Sequence, residues 1–150
     1  MFFCDNCAEY GLFCWTAVYL DCPFVSLNPR ATLSAEEVQH LLKQVCPGVI
    51  VVTEETVASD IEIDAHNELV SVPIKIILSP TDGAPTKGAQ GWTQLEHMWS
   101  RKRLRFNTSN VKVFENNTIV GFTSGMTSLL KACPQSSENL MISTTAFCLP

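Results

Sequence analysis

Basic side chains are scarce in this 150-residue chain: ten Lys and Arg stand against fifteen Asp and Glu, a net charge of −5. A protein that neutralises a phosphate backbone needs a positive field, so nucleic acid is not an expected partner. Arg101, Lys102, Arg103 and Arg105 form the one basic run, and a solvated helix face explains it. Histidine is also sparse. His40, His66 and His97 lie far apart, and none belongs to a nucleophile or metal motif. No serine occupies a Gly-x-Ser-x-Gly elbow, which leaves hydrolase chemistry without a nucleophile of that type.

Long apolar runs are missing as well. Residues 10–20 are apolar, but Asp5 and Glu9 precede them in place of Lys or Arg, and Asp21 stops any longer span. That pattern fits neither a secretory signal nor a membrane helix. The seven cysteines are odd in number and follow no framework. Cys4 and Cys7 have the spacing of half a zinc site, yet no second pair follows, so free thiols in a reducing, cytoplasmic compartment are expected. The sequons at Asn107 and Asn116 are then incidental.

What the chain does have is alternation of helix and strand signals. With 46% hydrophobic residues and 150 positions, one domain with a sizeable core is within reach. Asn6 and Glu9 look like a capping box before a dense apolar segment from Leu12 to Leu20, read as a mostly buried helix ending before Pro23. No strand is expected before Asn6. Phe24–Leu27 reads as a short buried strand. Ser34 and Glu37 form a second capping box, and Val38, Leu41, Leu42 and Val45 recur at i, i+3, i+4 and i+7 up to Pro47-Gly48. Val49–Val52 is a β-branched run suited to a parallel sheet, completing a βαβ unit.

The middle is less regular. Asp60, Glu62 and Asp64 alternate with apolar residues as on an exposed strand face. Val70, Val72, Ile74 and Ile76 repeat at period two, with Pro73 marking an edge strand or a strand start. Residues 79–91 read as a loop. Thr93 and Glu96 then cap a helix expected to turn Leu95, Met98 and Trp99 inward. The fold class is α/β, a partial sheet with flanking helices.

The segment from Thr118 to Lys131 carries the chemistry: an apolar strand enters a hydroxyl- and glycine-rich loop that closes on a lysine. Converging backbone N–H groups, Thr and Ser hydroxyls and a mobile ammonium are the ordinary means of holding phosphate. The spacing is not that of the Gly-x4-Gly-Lys-Ser/Thr loop. It resembles the signature of the adenylate-forming superfamily of acyl-CoA synthetases, luciferases and peptide-synthetase adenylation domains, Thr-Ser-Gly-Ser/Thr-Thr-Gly-x-Pro-Lys-Gly. Thr123, Ser124, Gly125, Thr127 and Lys131 match; Met126, Ser128, Leu130 and Ala132 depart. A second similarity lies at Asn6, Glu9 and Tyr10 and at Leu27-Asn28-Pro29, in the family's order.

The resemblance implies a partial AMP-binding domain over residues 1–150, truncated at both ends, from an enzyme that activates a carboxylic acid with ATP and Mg²⁺ to an acyl-adenylate. It assigns Thr123, Ser124, Thr127 and Ser128 as phosphate donors, Gly125 as the turn and Lys131 as the charge. The family's adenine and ribose pockets and second catalytic lysine would lie beyond Pro150, which implies a segment inactive alone. The alternative is a non-catalytic interaction module, whose open sheet edges favour a protein partner or self-association.

Overall fold

The computed structural model describes residues 1–4, 7–27, 34–69, 71–78, 91–98, 117–125, 128–139 and 142. Among the described residues, seven strands form one mixed sheet in the order β5-β4-β3-β1-β2-β6-β7. The first strand, β1 (Phe2–Phe3), lies at the centre, parallel to β2 (Phe24–Leu27) on one side and β3 (Val49–Val52) on the other. This corrects the expectation that no strand precedes Asn6. Two residues are too few to show a period, but Phe2 and Phe3 are both buried. The Met1 amine extends the pairing by donating to the Val49 carbonyl at 2.8 Å.

β4 (Ile74–Ile77) pairs in parallel with β3, and β5 (Thr93–Gln94) with β4. Pro73 therefore marks a strand start in the sheet interior, where its missing N–H falls just before the ladder. β6 (Asn117–Gly125) is parallel to β2, and β7 (Ser128–Ser136) returns antiparallel to β6 as the outermost strand.

Both faces of the parallel strands β1–β4 are covered, as such strands require. Phe3, Leu27, Ile50, Val52 and Ile77 point to one face, against Val38, Leu41 and Leu42 of α2 (Ala35–Val45) and Ala58 and Ile61 of α3 (Glu55–Leu69). Phe2, Cys4, Phe24, Val51 and Ile76 point to the other, against α1 (Ala8–Tyr19). The strict alternation along β1, β3 and β4 is the period-two pleat.

The capping box predicted for α2 is present: Glu37 N–H donates to Ser34 Oγ at 3.2 Å, and Ser34 N–H donates to Glu37 Oε2 at 2.8 Å. The bond from the Ser34 N–H, with a second from the Ser34 hydroxyl to the same oxygen at 3.0 Å, holds the Glu37 carboxyl below its ordinary value. The helix ends where Cys46 takes a left-handed φ of 45°, just before Pro47-Gly48.

Helix α1 departs from its expected burial. Tyr10, Phe13, Cys14 and Ala17 face the sheet, with the Tyr10 and Phe13 rings each 5.4 Å from that of Phe2, and burial pushes the Cys14 thiol up. No residue of α1 is fully buried, and Trp15 is 75% exposed. Leu12, Trp15 and Tyr19 form an outward stripe at i, i+3 and i+7. Density of apolar residues alone does not show which of them a neighbour covers. Asn6 lies outside the described residues; the cap position is Cys7, whose side chain makes no capping bond.

The alternating segment at 60–64 is helical, not extended. Ala58 and Ile61 turn into the core while Ile63 is 79% exposed, an arrangement that a helix produces and a one-sided strand does not. Glu62 accepts from Lys75 Nζ at 2.9 Å and from Trp92 Nε1 at 3.0 Å, tying α3 to β4 and to the approach to β5. Gly91 precedes this contact with φ +89°, and a Cβ there would sit 3.6 Å from Lys75 Nζ. After β5 comes a single 3-10 turn, Leu95–Met98, in place of the expected helix; Met98 is exposed rather than inward. Val70, the loop at 79–90, Trp99, the basic run at 101–105, the sequon at 107–109 and Asn116 of the second sequon lie outside the described residues.

Candidate functional site

Register places the signature segment. Phe24 pairs with Ile119 and Val25 with Val120, so Leu27, the last residue of β2, is level with Phe122. β6 then continues through Thr123, Ser124 and Gly125, about 10 Å past the end of β2 at the usual rise per residue. The hydroxyl- and glycine-containing stretch thus projects from the carboxyl edge of the parallel strands. Open α/β sheets bind ligands along that edge, most often where strand order reverses. Here the reversal is at β1 and β3, and the segment lies on the same edge beyond β2.

The chain does not pass from strand to helix at the motif. β6 turns directly into β7, with Gly125 paired to Ser128, so Met126 and Thr127 are the connecting residues and lie outside the described set. Lys131, expected as the close of a loop, is within β7 and directly opposite Thr123. Pairing is irregular between these two pairs: two steps along β6 span three along β7, a bulge that increases local twist at the tip.

Cross-strand pairs alternate between faces. Phe122 and Leu130 pack against the cluster under α2, which anchors the base of the hairpin. Thr123 and Lys131, one pair beyond Phe122 and Ala132, occupy the opposite face and are both exposed. Directly opposed residues have Cβ atoms about 5 Å apart. A threonine and a lysine are therefore rooted side by side on this face. Gly121 and Cys133 form the next pair on that face, and a Cβ at Gly121 would meet nothing within 4 Å.

Cys133 was not singled out by sequence reasoning, although its place two residues after Lys131 puts it on the same strand face. Its Sγ lies 3.7 Å from Thr123 Oγ1 and 3.8 Å from the Lys131 carbonyl oxygen. Of the expected site residues, the structure brings Thr123 and Lys131 together. Ser124, Gly125 and Ser128 are set on the strands as backbone, and Thr127 is outside the described residues.

Among the described residues no group of three or more His, Cys, Asp or Glu side chains could hold a metal ion, and no helix is long and apolar enough to cross a membrane. The Thr123 hydroxyl and the Lys131 ammonium are hydrogen-bond donors rather than metal ligands.

Comparison with solved structures gives the same fold. The chain is similar to the luciferase-like enzyme from the nonluminescent mealworm Zophobas morio, at 26% identity and a TM-score of 0.73, covering 97% of this chain and 32% of that one. It is similar in fold to a natural red-emitting luciferase from Phrixothrix hirtus, at 15% identity, a TM-score of 0.69 and coverage of 94% and 26%. A protein from Rhodopseudomonas palustris assigned as a long-chain-fatty-acid CoA ligase gives 17% identity, a TM-score of 0.67 and coverage of 97% and 33%. The chain spans a third or less of the length of these structures. A comparison with the curated proteins returned no match. The family model of the AMP-binding enzymes matches residues 1–149. With that match over nearly its whole length, on the fold its structural neighbours share, the chain belongs to the AMP-binding enzyme family.

Proposed function

We propose that the β6–β7 hairpin is the nucleotide-phosphate element of a ligase that activates a carboxylic acid with ATP and Mg²⁺ to an acyl-adenylate, and that this chain, as a partial AMP-binding domain, is inactive alone. The pairing of Thr123 with Lys131 on an open face at the carboxyl edge is the observation that carries this reading. Lys131 supplies a charge that can follow a phosphate oxygen. Thr123 supplies a neutral donor on the strand opposite, the proposal assigns further hydroxyl donors to Ser124, Thr127 and Ser128, and Gly125 carries no Cβ to hinder backbone approach. Such groups hold and orient the phosphates while carboxylate oxygen attacks at phosphorus, so their contribution is electrostatic and positional.

Two charge-assisted contacts at about 1.5–3 kcal/mol each give an affinity of roughly millimolar. The expected state of the isolated chain is therefore weak phosphate binding without turnover. The test is titration of the folded chain with ATP and Mg²⁺, followed by amide NMR shifts at Thr123 and Lys131, with assay of adenylate formation from a panel of carboxylic acids. Saturable shifts without turnover support the reading; turnover refutes inactivity, and no shift at these residues refutes the phosphate role.

The interaction-module alternative has the outermost strand β7 as its natural docking edge. That strand carries Pro134, an exposed Lys131 and irregular pairing near both ends. Each is a device that discourages strand addition, which favours the ligase reading over pairing with a partner or a second copy. None of the six described cysteines is in a disulfide.

A further inference from the structure

We propose that Cys133 is a positioning residue for the Thr123 hydroxyl, acting as a two-way hydrogen-bond relay on the open face of the hairpin. The proposal rests on the phosphate reading of that hairpin. Thr123 and Cys133 are diagonal neighbours, since Thr123 pairs with Lys131 and Cys133 with Gly121. Diagonal neighbours on antiparallel strands meet only where the side chains lean toward each other. Here they do: the Cys133 Sγ lies 3.7 Å from Thr123 Oγ1, and the space beside Gly121, the residue opposite Cys133, is open, since a Cβ there would meet nothing within 4 Å.

The thiol has two available partners. In one arrangement its S–H donates to the Lys131 carbonyl oxygen, 3.8 Å away, and the Thr123 O–H donates to sulfur. In the other the S–H donates to Thr123 Oγ1, because either atom of that pair can be the donor. The second arrangement frees the Thr123 hydroxyl hydrogen to point outward, at an anion held by Lys131. Only a group that both donates and accepts can make this exchange, and a thiol or hydroxyl can while an alkyl group cannot. Threonine is stiff at χ1, so one such contact suffices to choose its rotamer. No bond is broken; only hydrogen-bond partners change.

The test uses the full chain and the variants Cys133→Ser and Cys133→Ala, with two readouts. The first is the Thr123 χ1 coupling without ligand. The second is the dissociation constant for ATP with Mg²⁺ from amide shifts at Thr123 and Lys131. The expected result is a single Thr123 rotamer in wild type and Cys133→Ser, averaging in Cys133→Ala, and an affinity about threefold weaker in Cys133→Ala that serine restores, the scale of one weak neutral hydrogen bond. A merely structural role would lower the melting temperature without rescue by serine. Identical χ1 couplings in all three proteins would overturn the relay, whatever the affinities. The expected couplings with no saturable shift in wild type would instead overturn the phosphate reading, and with it any role of Cys133 in binding.

Discussion

Thr123 and Lys131 are direct partners across the antiparallel β6–β7 pair, eight positions apart in sequence and opposed in the sheet. A loop would leave a lysine free to wander. A β-ladder holds its Cα at a set distance from a hydroxyl, while exposure leaves its ammonium mobile. The pair lies just past the carboxyl end of β2, where the proposed phosphate contact would form. Because Phe122 and Leu130 anchor the opposite side of the hairpin in the core, this geometry depends on the same packing that stabilises the fold.

The core and the outer face of α1 should respond very differently to truncation. Leu41 is 0% exposed within the α2 cluster, so Leu41→Ala is expected to cost about 2–5 kcal/mol in urea unfolding. Trp15, although larger, is 75% exposed, and Trp15→Ala should stay within about 0.5 kcal/mol of wild type. A large loss at Trp15 would mean that the outward stripe is covered in solution.

At the start of α2, Ser34→Ala removes the acceptor for the Glu37 N–H and should destabilise the chain by about 1 kcal/mol. The Glu37 carboxyl is held low by its bonds from the Ser34 N–H and hydroxyl, so the folded state favours the ionised form. Its contribution is present above the ordinary carboxylate range and lost as pH falls through the lowered folded value. Acid titration followed by the Glu37 side-chain NMR signal should show a lower midpoint in wild type than in Ser34→Ala.

How much of this was legible varied with the kind of signal. α2 could be read from residue chemistry because Ser34, Glu37 and the Val38, Leu41, Leu42 stripe are local and mutually consistent. β3 announced itself by four consecutive apolar residues. β1 could not, since Phe2 and Phe3 gain their strand state from β2 and β3 on either side rather than from any pattern of their own. At 60–64 the alternation of Asp60, Ile61, Glu62, Ile63 and Asp64 matched a strand over five residues, while the helix was encoded over fifteen. The site motif was visible as chemistry, yet its hairpin was not, because serine, threonine and glycine favour turns and only pairing with β7 makes them extended. The Thr123–Cys133 contact depends on cross-strand register, which local pattern does not specify.

The amino terminus should leave a signature around neutral pH. Burial lowers the Met1 amine from 8.0 to about 6, so between those values the unfolded chain binds the proton that the folded chain does not. Stability should therefore rise as pH increases from about 6 to 8 and show no further change from this group outside that window. A difference of two units corresponds to at most about 3 kcal/mol. Urea midpoints of the free-amine and N-acetylated chains across this range check it: the slope belongs to the free amine, and equal slopes would contradict burial of a titrating group.

The most direct measurement compares wild type with Lys131→Ala by calorimetric and NMR titration with ATP and Mg²⁺, alongside urea unfolding of both. Lys131 is exposed, so the variant should fold with stability within about 0.5 kcal/mol of wild type. Loss of saturable binding in an otherwise folded variant is the expected result, at least tenfold in dissociation constant for removal of one charge-assisted contact of about 1.5–3 kcal/mol. Equal binding by the two proteins, or none by a folded wild-type chain, would contradict the assignment of the β6–β7 hairpin as a phosphate-holding element.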